Sequence, residues 1–277
     1  MDNALSTSLI ICAVAILGCL VLSIINDNYS QVDRLWSIIP IVYVGWFASQ
    51  AGFADARLNI MFVLVTAWGI RLTFNFARKG GYTPGGEDYR WPILREKLGR
   101  VGFQIFNATF ISPYQNILLL LICLPAWVAL QHRDTPLGVL DAVAAIVFVV
   151  ALIGEFTADQ QQWNFHREKA AAKARGDVVE PPFLTKGLWS WSRHPNFLCE
   201  QTQWWAIALF GFSAIGAGAA STSPLVWTLL FAGAVLLTLL FQGSSWFTEY
   251  LTKQKYPSYV DYQKSTPRQF PLPIFKG

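Results

Sequence analysis

The sequence predicts an all-α integral membrane protein of seven transmembrane helices, with the N-terminus outside and the C-terminus in the cytoplasm. Three observations carry this. Hydrophobic residues make up 53% of the 277 and charged residues only 14%, whereas soluble domains carry about 25% charged residues. No Asp, Glu, Lys or Arg occurs between Gln201 and Thr248, a run long enough for two spans of about 20 residues and a turn. The basic residues collect in alternate loops.

Apolar runs place the spans at about 6–25, 35–54, 58–77, 112–131, 137–155, 197–217 and 224–247. The first begins at Asp2 rather than at a basic residue and lacks a small-x-small cleavage site, so it reads as a helix and not a signal peptide. Gly211, Gly216 and Gly218, then Ser-Thr-Ser-Pro224, mark an uncharged hairpin between the last two spans. The loops at 26–34, 78–111 and 156–196 and the tail after 248 hold 1, 6, 6 and 5 of the 21 Lys and Arg. The opposite face holds only Arg57 and Arg133, and Arg71 lies within the third span. The positive-inside rule therefore puts the basic segments in the cytoplasm. An even number of spans would set the basic tail against the basic loops.

Basic residues confined to loops between apolar spans exclude nucleic-acid binding. The cysteines Cys12, Cys19, Cys123 and Cys199 form no C-x-x-C pair and the histidines are dispersed, so no metal site is expected. Packed thiols are the expected state.

The chemistry concentrates between Gly187 and Glu200, where Arg193, His194, Asn196 and Glu200 share eight residues. Pro195 suits the first turn of a helix, which would leave backbone N–H groups beside it open, a ready anion site with Arg193 and His194 at hand. Glu200, one turn inside from Asn196, needs a partner or a task so near an apolar span. Further polar residues stand at span edges: Asp33 and Arg34, Arg71, and the pair Glu155 and Asp159 one helical turn apart. Each has an ordinary reading as a cap, a snorkelling cation or a salt bridge, but all except Arg71 converge on one membrane boundary. The loop from Arg78 to Trp91 combines glycine, arginine and aromatics, suited either to phosphate contact or to anchoring on anionic lipid. Without G-x-G-x-x-G between a strand and a helix it is no Rossmann site. In the tail, Tyr259 and Tyr262 lie three apart, on one helix face, fit for an adenine ring or for a membrane interface.

Five ordered motifs carry a family resemblance. They are W-x-x-R-L at Trp68–Leu72, G-E-D-Y-R at Gly86–Arg90, E-x-x-x-D-x-Q from Glu155, G-L-W-x-x-S-R-H-P-N-F-x-x-E from Gly187, and K-Y-P-x-Y-x-x-Y from Lys255. Together the chain resembles the membrane steroid 5α-reductases, most strongly their bacterial relatives of the DUF1295 group, over nearly its whole length. The resemblance implies one domain over 1–277, with substrate-side helices in about 1–110 and most cofactor contacts in about 111–277. It implies a monomer in the bacterial cytoplasmic membrane, with NADPH as cofactor and a steroid or other apolar enone as substrate.

The implied reaction passes hydride to the β-carbon of an α,β-unsaturated ketone and then a proton to the α-carbon. Asp33 matches the family's ketone-addressing acid, and its aromatic partner falls on Trp68, with Tyr43 or Tyr29 as substitutes. The resemblance places Asn196 at the nicotinamide amide with Glu200 beside it, and Asp159 and Arg167 at ribose and phosphate. Lys79, Arg90, Arg95 and Arg193 become candidates for the phosphates. Arg71, Asp88, Tyr89, Trp191, His194, Glu249, Tyr259 and Tyr262 complete the expected cofactor surface. The family's histidine cluster is here Ser244-Ser245, and Cys199 stands where glycine is common. Two other classes share features of the chain: an isoprenylcysteine-type methyltransferase using S-adenosylmethionine, and a non-catalytic sterol-binding scaffold.

Overall fold

A computed structural model describes residues 3–216 and 222–270; Asp2 and Gly218 lie outside them. The regular secondary structure of the described residues is all helical, with no strand. In order, the helices are α1 (Asn3–Asn26), α2 (Gln31–Leu35), α3 (Ile39–Gln50), α4 (Ala56–Arg78), α5 (Arg90–Phe106), α6 (Gln115–Leu121), α7 (Leu124–Gln131), α8 (Val139–Arg175), α9 (Pro195–Ile215), α10 (Pro224–Lys255) and α11 (Tyr259–Ser265). A π-helical stretch, Asn107–Tyr114, joins α5 to α6, and a 3₁₀ turn, Gly187–Ser190, precedes α9.

Five helical segments among the described residues are long and apolar enough to cross a membrane: Asn3–Asn26, Ala56–Arg78, Arg90–Gln131, Val139–Arg175 and Pro224–Lys255. The other two expected spans differ for physical reasons. The second is the 12-residue α3, set off from the short α2 by a turn. Alone it reaches only about 18 Å at 1.5 Å per residue. The sixth is a 21-residue helix, α9, but its first turns carry Glu200, Gln201, Thr202 and Gln203. Two loops also contain more helix than expected. α5 occupies much of 78–111, and the 37-residue α8 runs far past 155. At about 55 Å, α8 exceeds an apolar layer of about 30 Å, so its polar end continues beyond it.

α1 shows why lipid is the solvent. It buries Ala4, Ser8, Cys12, Ala15, Cys19 and Ser23, while Ile10, Val14 and Leu17 are 64%, 65% and 61% exposed. Small and weakly polar residues face protein, and large aliphatics face outward. Water would invert that order, whereas membrane helices pack through small residues. The cysteines follow the same rule: Cys12, Cys19 and Cys123 are buried free thiols.

The helices form two compact units. One comprises Met1–Ala145 with Ala206–Val235, and the other Ile146–Trp205 with Leu236–Gly277. In the first unit α4 begins at Asp55, whose side chain accepts from the Leu58 N–H at 2.8 Å. At Gly69, α4 lies so close to the turn before α3 that a Cβ there would collide with the Ser37 carbonyl oxygen.

Arg57 belongs to this packing and not to an interface. It is 1% exposed, and its Nε and Nη2 meet the Asp141 carboxylate at 2.7 and 3.1 Å. It also donates to the carbonyls of Thr135 and Pro136 at 3.1 and 3.0 Å, while Gly138 N–H and Ser213 Oγ complete Asp141, each at 2.8 Å. Removing one member of a buried, hydrogen-bonded pair strands the other charge. Arg57→Leu is therefore expected to cost about 3–5 kcal/mol, read as a lowered unfolding midpoint in detergent. A loss below about 1 kcal/mol would show that the pair does not hold the fold.

Candidate functional site

In the second unit, Pro195 opens α9 as expected, and the segment before it is closed rather than open. The tail supplies the acceptors: Arg193 N–H donates to the Pro267 carbonyl and His194 N–H to that of Arg268, both at 3.0 Å. The anion is internal as well. Arg193 Nε and Nη2 bind Glu249 at 2.8 and 3.0 Å, and His194 Nε2 lies 3.0 Å from the same carboxylate. Gln263 donates to Glu249 at 2.7 Å, Arg268 stands 3.8 Å away, and Arg193 Nη1 reaches the carbonyls of Gln263 and Thr266. The expected open phosphate grip at Arg193 and His194 is thus a buried lock between α9, α10 and the tail. A fixed carboxylate of the same chain pairs the buried Arg193 guanidinium and lies within hydrogen-bond distance of the His194 ring.

The tyrosine pair is closed in the same way. Tyr259 and Tyr262 do share a face of α11, with ring centroids 5.5 Å apart, but both are buried. Phe183 stacks on Tyr262 at 5.8 Å and meets Tyr259 edge-on at 5.0 Å, and the Tyr262 hydroxyl donates to the Trp189 carbonyl. Burial holds both phenol pKa values above the usual range. Phe183, a ring of the chain itself, packs against both tyrosines. Trp191, by contrast, is 71% exposed.

The seam between α8 and α9 brings several expected residues together. Phe148, Ala151, Glu155, Ala158 and Asp159 form the buried stripe of α8 in this unit, at helical spacing. Across from it, Asn196 Nδ2 donates to Asp159 Oδ1 at 3.5 Å and Gln203 Nε2 to Glu155 Oε2 at 2.7 Å. Trp204 Nε1 donates to Glu200 at 3.3 Å. Asn196 Oδ1 and Gln203 Oε1 are enclosed without a hydrogen-bond partner. Cys199 has its reason here, for its Sγ lies 2.9 Å from where Gly154 would carry a Cβ; the glycine sits on the facing helix. Arg167 is exposed further along α8. In place of a histidine cluster, Ser245 Oγ accepts from Gln269 at 2.8 Å, and Gln269 accepts from Gln242 at 2.6 Å. Sequence reasoning does not single out these glutamines or Phe183; an amide inside an apolar run is the available signal.

In the first unit, Asp33 sits half-buried on α2, and Trp91 Nε1 donates to its Oδ2 at 3.3 Å. Its pKa is raised from 3.8 to about 6, chiefly by burial and then by the nearby Asp88 carboxylate, against the opposing effects of Ser30, Arg90 and Trp91. Arg90 is bidentate on Asp88 at 2.8 and 2.7 Å, and Arg95 pairs with Glu87 at 3.1 Å and Asp27 at 3.4 Å. Lys79 is exposed at the end of α4 and Tyr89 is exposed just before α5. Trp68 is fully buried in α4, and Arg71 is buried one turn on. Of the substitutes for Trp68, Tyr29 holds its hydroxyl against Gln104 at 2.6 Å, and Tyr43 is fully buried.

Helix lengths, outward-facing aliphatics and buried polar seams define a chain of the multi-pass membrane class, all-helical in the regular structure of its described residues. Residues 19–266 match the family model DUF1295, described as a protein of unknown function, and the chain belongs to that family. It is similar to an uncharacterised protein of Schizosaccharomyces pombe, 38% identical over 265 residues, which cover 90% of this chain and 74% of that one. No solved structure matches.

Proposed function

We propose that the chain is an NADPH-dependent reductase acting on the conjugated carbon–carbon double bond of an apolar, steroid-like enone. Asp33 carries this reading. A carboxyl that keeps its proton to about pH 6 is a hydrogen-bond donor on approach to neutrality, suited to a ketone oxygen on which charge grows. The resemblance to the membrane steroid 5α-reductases supplies the reaction class. Seven spans with a cytoplasmic C-terminus follow if α3 and α9 join the five long helices, and the lopsided distribution of Lys and Arg favours that orientation.

The α8–α9 seam fits the nicotinamide end of the cofactor. Asn196 has an enclosed carbonyl oxygen lacking a donor while its amide nitrogen faces Asp159. A carboxamide N–H would satisfy that oxygen. Asn196 and Glu200 would hold the carboxamide, with Asp159 orienting Asn196 and the exposed Arg167 available to phosphate. When bound, NADPH supplies the hydride. Asp33 would hold its proton at the ketone oxygen. Asn196→Ala is expected to weaken NADPH binding about tenfold or more, by the loss of one buried hydrogen bond, as titrated by nucleotide fluorescence.

One observation favours a second reading, methyl transfer from S-adenosylmethionine. Arg90, Arg95 and Arg193, candidates for a 2′-phosphate clamp, already face Asp88, Glu87 and Glu249. Mass spectrometry of the nucleotide that co-purifies with the detergent-solubilised protein separates the readings. NADP(H) supports the reductase, and testosterone or progesterone is then the enone to assay. S-adenosyl compounds overturn it in favour of the methyltransferase. An empty protein that also ignores added NADPH favours a scaffold.

A further inference from the structure

We propose that Trp91 is a positioning residue for Asp33, and that the glycine-rich loop between α4 and α5 is the wall of an acid site rather than a phosphate cradle. The proposal deepens the reductase reading and rests on it for its catalytic meaning. Four of the hydrogen bonds between residues 28–33 and residues 86–91 share a separation of 58 residues. Asn28 Nδ2 donates to the Gly86 carbonyl at 3.0 Å, Tyr29 N–H to Glu87 at 2.8 Å, Asp88 N–H to Ser30 Oγ at 2.9 Å, and Trp91 Nε1 to Asp33 Oδ2 at 3.3 Å. The two segments thus run side by side in register, and the register ends on the acid.

The loop's polar groups point the same way. Arg34 donates to the carbonyls of Gly81 and Gly86 at 3.3 and 3.1 Å, and the Tyr82 hydroxyl donates back to the Arg34 carbonyl at 3.1 Å. The glycines serve the loop's own turn. Gly80 and Gly85 have φ of +83° and +80°, and a Cβ on Gly86 would collide with the Gly80 carbonyl oxygen. Arg90 and Arg95, the loop's expected phosphate ligands, instead neutralise Asp88 and Glu87. A loop so engaged offers phosphate little surplus charge.

Trp91 suits the positioning role. It is 5% exposed and held edge-on by Phe106 at 6.4 Å. An indole nitrogen only donates, so it orients a carboxyl without competing for the acid's proton. The other groups acting on Asp33 are Ser30, Asp88 and Arg90, and the Cys19 thiol of α1 senses its charge. A donor favours the ionised carboxyl and a like charge disfavours it. The two kinds of neighbour should therefore be separable by sign.

The test follows the Asp33 carboxyl by infrared difference spectroscopy against pH in the full-length protein, with Asp33→Asn assigning the band. Trp91→Phe keeps a ring against Phe106 and removes the N–H; it is expected to raise the midpoint by about one unit. Asp88→Asn removes the like charge, leaving Arg90 unneutralised, and is expected to lower it. Opposite shifts are something general loosening of the loop would not produce. Two unmoved midpoints, or two shifts of the same sign, overturn the assignment, and the second variant keeps the test alive if the first does not fold. The readout needs no turnover. Opposite shifts in a protein that neither binds NADPH nor reduces enones would uphold Trp91 and sink the reductase.

Discussion

Glu249→Ala is expected to be among the most damaging single changes in the second unit, lowering stability by about 3–5 kcal/mol. One carboxylate there faces Arg193, His194 and Gln263 within 3.0 Å, with Arg268 at 3.8 Å. Arg193 is 7% exposed and His194 6%, so alanine would strand a buried guanidinium whose remaining partners are neutral carbonyls. The tail should loosen with it, since Arg193 also holds the carbonyls of Gln263 and Thr266. Two measurements check this: the unfolding midpoint in detergent, and the rate of protease cleavage between 256 and 270. The double variant Arg193→Ala/Glu249→Ala should lose less than the sum of the two single losses, because each single variant already includes the stranded partner. Additive losses would mean that the pair is not coupled and that the lock is incidental.

This cluster also shows how far a sequence can be read. Arg193, His194 and Glu249 stand out as chemistry-bearing residues, the first two at a helix start, and Pro195 does open that helix. What the sequence does not supply is the partner. Arg193 and Glu249 are separated by 56 residues, and nothing local indicates that an internal carboxylate fills the anion site that the motif advertises. Tyr259 and Tyr262 repeat the lesson, since their spacing places them on one face but cannot reveal Phe183 against it. The α8–α9 seam is more legible, because Glu155 and Asp159 lie one turn apart, as do Asn196 and Glu200, and burying polar residues at helical spacing limits their partners. The apolar spans are legible where hydropathy and length agree. They are less so at α3, where the turn before Ile39 shortens the helix, and at α9, where polar residues share its first turns. The helix α5 goes unread because its amphipathic sequence carries the charge density of a loop.

Asp33→Leu is expected to leave nucleotide binding intact and to lower turnover by about 10²–10⁴-fold, the usual range for losing a positioned acid. The prediction separates a chemical role from a structural one, since leucine is close to Asp in size and Trp91 keeps its packing against Phe106. The pH dependence gives the sharper check. The Asp33 pKa rises from 3.8 to about 6, so the folded chain holds this proton more tightly than the unfolded chain does. Its contribution to stability is complete below about pH 4 and is lost as pH rises through about 6. Asp33→Asn, which cannot ionise, should therefore gain stability over the parent between about pH 5 and pH 8 on the order of a kcal/mol. Turnover follows the same proton: if the acid donates to a ketone, kcat should fall as pH rises past about 6. A kcat that instead rises through that window would make the ionised carboxylate the working form, and Asp33 would then act as a base and not as the donor an enone reduction needs.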